Sequence, residues 1–478
     1  MTGDQGYSPQ ASVERALAAA RCDDCVVIAD ETSSANLRWA GNTLTTNGVS
    51  RSRYLTVIAI QRQGDKATVG VVSRSGVRDD QVEGVVRAAE DAARQSSPAE
   101  DAQPLLTPDS PEAFRAGGAG GAGPGWDDPV ATTEIGVFRD FTPALGHAFE
   151  AAAGREQKLY GFAEHDLSCT FLGTSTGLRL RHDQPSGKVE LNAKTADLSS
   201  SAWAGAASRD FTDVDVLAMD ASLARRLGWG ARRVELPPGR YETLLSPSAM
   251  ADLLTYTYWS AGAKDALDGR TVFSKPGGGT RVGERLTELP VNLRSDPAAP
   301  GLQAPPFVIA HASSRDSSVF DNGLALGPTD WIADGTLAAL RQTRHSAALS
   351  GLPVTPEIDN LIFESAAGGA PGIDDIVAET QRGLLLTCLW YIREVDPQNL
   401  LLTGLTRDGV YLVENGEVTA EVNNFRFNES PVGMLGRLSQ VGRAEPALPR
   451  EWSDYFTRAM MPPARVEGFN MSSVSQAS

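Results

Sequence analysis

An α+β fold built from several parts is predicted for this chain, on three patterns. Near the start, a short alanine-rich helix is followed by β-branched runs and then an amphipathic helix. That order gives antiparallel strands flanked by helices rather than a nucleotide-binding α/β wind. Between residues 159 and 206, short runs alternate polar with apolar side chains, the pattern of an antiparallel, half-exposed sheet. From about residue 235 onward helices and strands mix. The predicted organisation is an N-terminal α/β domain (1–107), a Gly/Pro-rich linker (108–129), a middle antiparallel β-sheet domain (130–232) and a large C-terminal mixed α/β domain (233–478).

The elements follow in order. Residues 12–21 read as the first helix and 26–29 as an apolar strand, then 35–39, then the pair 53–61 and 67–73 joined by Gln63-Gly64-Asp65. Residues 77–95 form a helix with Val82, Val85, Val86, Ala89 and Ala93 on one stripe. From 96 to 129 proline and alanine give way to the glycine run 117–125, read as a loop or linker. Residues 138–155 are helical, followed by strands at 159–165, 167–172, 177–184, 187–194 and 199–206.

Composition narrows the function classes. The 478 residues carry 43 Lys+Arg against 60 Asp+Glu, a formal charge of −17, which argues against a nucleic-acid or anionic-membrane surface. With 41% hydrophobic residues, large cores are available and wholesale disorder is excluded. Four cysteines in so long a chain are too few for a disulfide framework. No apolar run reaches the roughly 18 residues of a membrane span. Residues 1–10 lack the basic and apolar regions of a signal peptide, so a cytoplasmic location is expected.

Several motifs are decoys. Gly118 to Gly123 satisfies G-x-G-x-x-G, with no strand before it and no helix after it. Gly173-Thr174-Ser175-Thr176-Gly177 spells the G-x-S-x-G of a nucleophile elbow, but alternating Leu178-Arg179-Leu180-Arg181 follows where a helix is needed, so a hairpin turn is predicted. Cys22 and Cys25 have C-x-x-C spacing with the helix before and the strand after, the reverse of a thioredoxin-type site. No two of His147, His165, His182, His311 and His345 sit at helical metal-ligand spacing. Glu164-His165-Asp166 reads as an exposed strand with a solvated histidine.

The C-terminal region is the most informative. Residues 401–418 read as two strands with a tight Asn415-Gly416 hairpin. In the following 423–430, Phe425-Arg426-Phe427 puts one arginine opposite two aromatics: a solvated arginine over a core, or a groove arginine that meets a peptide carboxylate or carbonyl.

Here the sequence resembles the TldD/PmbA (TldD/TldE) family. Residues 404–418 and 423–430 are similar to that family's C-terminal domain, 26–44 with the long hairpin after it to its first domain, and 226–250 to the opening of its third. The resemblance implies the three-part fold above and a cytoplasmic heterodimer acting as a zinc-type metallopeptidase on peptides. One subunit carries a helical H-E-x-x-x-H motif and a cysteine ligand near the C-terminus, and the other lacks the metal residues and helps to enclose the substrate channel. Members also occur in natural-product maturation.

The helix that should hold the ligands tests which subunit this is. Ser246 is a good N-cap and Pro247 sits at the first helical position, with Met250, Leu253, Leu254, Thr257, Tyr258 and Ala261 on one stripe. Residues 246–269 contain no histidine, glutamate or cysteine, and Tyr and Thr are poor donors for a borderline metal. The last cysteine is Cys388, within the apolar run 384–392.

The chain therefore resembles the metal-free TldE/PmbA-type subunit: no catalytic or metal residue, no cofactor of its own, and zinc-type metal in a TldD-like partner bearing H-E-x-x-x-H. Tyr256, Tyr258 and Trp259 are candidates to line the channel, and Arg407 and Arg426 to contact substrate or partner. The alternatives are a hydrolase using Glu164, His165 and His182 on its own, and a peptide-binding scaffold homodimer.

Overall fold

The computed structural model describes residues 8–115, 125–365 and 370–475, so the predicted G-x-G-x-x-G stretch lies outside the described residues. Helix α1 (Pro9–Ala19) is capped by Ser8, whose hydroxyl accepts the Ala11 N–H. Strands β1 (Asp24–Ala40), β2 (Leu44–Gln63) and β3 (Lys66–Ser75) follow, then helix α2 (Val82–Gln95). After the glycine-rich stretch come α3 (Phe141–Gly154), β4 (Gln157–Thr174), β5 (Arg179–Thr195), β6 (Ser201–Ser208) and α4 (Val216–Trp229).

These six strands form one antiparallel sheet in the order β3-β2-β1-β4-β5-β6. Segments on either side of the glycine-rich stretch therefore share a sheet, joined where β1 pairs with β4 from Val26 opposite Thr174 to Ala40 opposite Tyr160. The short strands expected at 26–29 and 35–39 are one 17-residue strand. The polar stretch between them stays in the ladder because its side chains bond across it: Thr170 Oγ1 donates to Asp30 at 2.6 Å, and the Thr32 and Ser168 hydroxyls meet at 2.9 Å. The five expected short strands are likewise three longer ones. Pro185 and Ser186 fall in the gap between the expected strands 177–184 and 187–194, yet Pro185 lies beyond the stretch where β6 pairs with β5, a position where its missing N–H costs nothing. Helix α1 lies at 9–19 rather than 12–21, and α2 starts at Val82 rather than 77 because Asp79–Gln81 form a 3₁₀ turn.

Strand alternation gives the sheet two different faces. Val27, Ala29, Cys169 and Phe171 pack under α1 and α2, while Leu37, Trp39, Ala163, Val189 and Leu191 pack under α3 and α4. The opposite face carries Val26, Ile28, Ile58 and Leu172, which pack on Phe307, Val319 and Phe320 from the C-terminal half. Further along, that face becomes polar, with Glu164, Asp166, Ser168, Gln184, Ser186, Lys188 and Glu190. His165 falls on the helix-covered face and corrects the solvated reading. It is buried, with Nδ1 2.8 Å from Thr133 Oγ1 and Nε2 2.7 Å from the Arg209 carbonyl.

The C-terminal half opens with β7 (Arg233–Val234) and β8 (Gly239–Leu245), which leads into α5 (Pro247–Trp259). Strands β9 (Val291–Ser295), β10 (Thr329–Ala333), β11 (Thr336–Leu337) and β12 (Leu361–Ser365) start a second sheet. The chain then returns to the sheet of β8 with β13 (Arg382–Leu386), β14 (Leu389–Asp396), β15 (Leu401–Thr406), β16 (Val410–Glu414), β17 (Glu417–Val422), β18 (Phe425–Glu429) and β19 (Leu438–Val441). Strands β20 (Glu445–Ala447) and β21 (Ala459–Met461) complete the second sheet, and β22 (Ala464–Val474) runs between β18 and β8. The predicted hairpin is the β16–β17 turn, with φ of 53° at Asn415 and 83° at Gly416, as a two-residue turn between twisted strands requires. One core cluster holds α5 together with side chains from both C-terminal sheets. The fold is α+β, and among the described residues no helix is long and apolar enough to cross a membrane.

Candidate functional site

The polar face of the first sheet meets the C-terminal half at a junction around α5. Ser246 caps the helix as predicted: its hydroxyl accepts the Ala249 N–H at 3.2 Å and donates to the Thr387 carbonyl at 2.7 Å. The predicted stripe is buried, as are Ala251, Asp252 and Thr255, while Pro247, Ser248, Tyr256 and Trp259 are half-buried.

Asp252 is the one acid on α5 and has no solvent exposure. Its Oδ1 accepts the Glu451 N–H at 2.9 Å and its carbonyl accepts the Trp452 indole N–H at 2.9 Å, while Oδ2 has no partner among the described residues. Burial holds its carboxyl well above the usual range, with Arg450 pulling the other way. Ser248 Oγ donates to the Leu448 carbonyl at 2.7 Å, so residues 448–452 form a strap tied along α5.

The strap's other side grips β5. Ser453 Oγ donates to Glu190 Oε1 at 2.8 Å, Lys188 pairs with Asp454, and Arg458 Nη1 donates to Ser186 Oγ at 2.7 Å. Between strap and sheet lies a groove of ≈ 340 Å³ lined by Glu164, Asp166, Ser168, Gln184, Lys188 and Tyr455 among others. Charges of both signs and hydroxyls line it, a set suited to amide N–H and C=O groups.

The predicted site residues separate. Tyr258 is core: its hydroxyl donates to the Ile358 carbonyl at 3.0 Å and accepts the Ile358 N–H at 2.8 Å. Tyr256 and Trp259 are half-buried and both lie 5.4 Å, centroid to centroid, from Trp452 of the strap. Arg407 lies with its guanidinium 5.5 Å from the centre of the Trp390 ring. Arg426 is exposed between buried Phe425 and Phe427, as the alternation predicts, and stands opposite Leu405, which in turn stands opposite Trp390. Arg407 and Arg426 thus come to one region of the sheet, apart from the tyrosines. Sequence reasoning missed Asp252, Lys188, Glu190, Trp390 and Arg450. Asp252 alone had a legible signal, as the single acid in an apolar helix.

Residues 238–473 match the family profile described as "PmbA/TldA metallopeptidase C-terminal domain". The chain carries a C-terminal domain of the TldD/PmbA family. Its fold is similar to that of TldE from Thermococcus kodakarensis, with a TM-score of 0.76 at 15% identity over 96% of this chain and 98% of the other. It is also similar to a candidate modulator of DNA gyrase from Bacteroides thetaiotaomicron (TM-score 0.75, 14% identity, 98% of each chain). A similar candidate from Thermotoga maritima gives a TM-score of 0.71 at 14% identity, over 94% of this chain and 95% of that one. No curated protein matches the chain significantly.

The match to a metallopeptidase domain raises the question of a metal, and the donors on helix α5 do not fit one. Helix α5 supplies only Asp252, a buried carboxyl held toward its protonated form and engaged by a backbone N–H. Cys388 is a buried thiol, its pKa pushed up by burial and its Sγ donating to the Arg407 carbonyl at 3.0 Å. Among the described residues no three His, Cys, Asp or Glu side chains converge to hold an ion.

Proposed function

We propose that this chain is the non-catalytic subunit of a TldD/TldE-like heterodimeric metallopeptidase, and that it helps to enclose and bind a peptide or peptide-like amide substrate. The observation that carries this reading is the donor set of α5. Where a metal-bearing subunit needs imidazole and carboxylate, this helix has alanine, threonine, tyrosine and one buried, backbone-bonded acid. The chain's contribution is then steric and electrostatic: the groove between β5 and the strap takes the substrate's main chain, and the chemistry belongs to the partner. A role in natural-product maturation is compatible with such a subunit and adds no requirement to it.

The acid–base alternative has less support. Both His165 ring nitrogens are engaged by Thr133 and Arg209, and His182 is bonded to Gln184 and shifted toward its neutral form chiefly by burial. Glu164 is shared between Arg38 and Lys188. The test is metal content and amidase activity of the chain alone and after co-expression with an H-E-x-x-x-H homologue. Zinc-type metal and turnover only in a stable 1:1 complex are expected. Stoichiometric metal or turnover in the chain by itself would overturn the reading.

A further inference from the structure

At the strap, the structure gathers arginines with side-chain donors that bind nothing among the described residues. The Arg450 side chain is 6% exposed, yet its guanidinium donates no hydrogen bond to any described residue, and its Nε is buried without a partner. It is held between two indoles, 3.3 Å from the Trp390 ring centre and 4.9 Å from that of Trp203. Arg407 shares the Trp390 ring at 5.5 Å, is 30% exposed, and likewise donates no hydrogen bond from its side chain. Trp390 Nε1 and Arg407 Nε are also buried and have no partner among the described residues.

The neighbouring carboxylates do not use these donors. Glu190 Oε2 stands 4.0 Å from Arg450 Nε, beyond hydrogen-bond reach, and its two oxygens already accept from Trp203 Nε1 at 3.0 Å and Ser453 Oγ at 2.8 Å. Asp408 Oδ2 stands 3.9 Å from Arg407 Nε, and its Oδ1 accepts from Ser201. A third guanidinium, Arg226, donates to the Trp203 carbonyl at 2.7 Å and has no ion pair among the described residues. Arg450, Arg407 and Arg226 therefore stand among Glu190, Asp408 and Asp252, the last a carboxyl that burial holds toward its protonated form. A guanidinium stacked on an indole keeps its N–H edge in the ring plane, free for a planar bidentate acceptor. Buried donors of this kind are costly to leave unmade, so the arrangement favours an arriving acceptor.

We propose that Arg450 and Arg407, stacked on Trp390, form a carboxylate-binding site that anchors the anionic end of a peptide-like ligand beside the β5 groove. The site deepens the accessory-subunit reading and rests on it for the substrate class. Arg426 stands opposite Leu405 on the neighbouring strand with Nη1 3.4 Å from Thr403 Oγ1, and the half-exposed Tyr391 follows Trp390 in its strand. The carboxylate is either a peptide's C-terminus or an acidic side chain, and both present the same planar group.

The test is calorimetry on the full chain, alone and in complex with its metal-bearing partner. Three probes are used: a short peptide with a free C-terminus, the same peptide as its C-terminal amide, and that amide with a glutamate added. Binding of the free acid at least tenfold tighter than the amide is expected, reduced at least tenfold by Arg450→Gln and by Arg407→Gln. Rescue of the amide by the glutamate assigns the site to side-chain carboxylates, and no rescue assigns it to the C-terminus. Arg407→Gln guards against a fold defect, because Arg407 is the more exposed of the two. Equal binding of acid and amide, no binding to chain or complex, or full binding by a folded Arg407→Gln variant overturns the site. A metal-loaded complex lacking carboxylate preference would remove this site and leave the accessory-subunit reading standing. Carboxylate binding by a chain that never pairs with a metal-bearing homologue would do the reverse.

Discussion

Asp252 sets the pH behaviour of the α5 junction. Burial raises its carboxyl well above the usual range, so the folded chain keeps a proton that the unfolded chain loses near pH 4. The folded state binds more protons there, and stability contributed by this group falls as pH rises above about 4. Asp252→Asn keeps an acceptor for the Glu451 N–H and removes the titration. The variant is expected to resist urea better than the parent at pH 8, with the gap narrowing toward pH 5.5. A gap independent of pH would show that the carboxyl is ionised in the fold. Tyr258 gives a second prediction: Tyr258→Phe strands both polar groups of Ile358, for a loss of about 2 kcal/mol in urea unfolding. Tyr256→Phe, in a half-buried position, serves as the near-neutral control.

At the scale of the element, α5 depends on its cap and the Arg407 turn depends on a glycine. Ser246→Ala removes both the Ala249 cap and the bond to Thr387, and a loss of at least about 1 kcal/mol is expected. Gly409 has φ of 144°, and a Cβ there would lie 1.9 Å from Thr387 Oγ1. Gly409→Ala must therefore move the 407–409 turn that aims Arg407, and lowered thermal stability with weaker carboxylate binding is expected. Unchanged melting and binding would mean the turn has room that its backbone does not suggest. These elements were largely readable in advance. A cap followed by Pro247, and Asn415-Gly416 between alternating strands, are local patterns in which neighbouring residues alone fix the conformation.

Across the whole molecule, the strap couples the first sheet to the C-terminal half. Glu190 accepts from Ser453 and Trp203 and faces Arg450, so Glu190→Gln weakens the strap's hold on β5 without touching α1 or α2. Hydrogen exchange should quicken in residues 448–458 and stay unchanged in α1 and α2. Uniform acceleration would show that the junction opens only with global unfolding. Nothing in the sequence pointed to this coupling. Lys188 and Glu190 look like the outward side of a half-exposed strand, and their partners lie more than 260 residues away in the chain.

By itself the sequence determined the fold class, the capped helix, the hairpins and the poverty of metal donors on α5, because each is written in residue type and spacing over one element. The tertiary structure decided which polar residues are solvated and which are not. His165 and Glu164 are neighbours on one strand. Alternation sends the histidine under Thr133 and the glutamate toward Lys188, and only the packed helices and the strap fill those two sides. The same holds for Arg450. Its stacking between Trp203 and Trp390 needs three distant segments brought together, and periodicity within any one of them is silent about it.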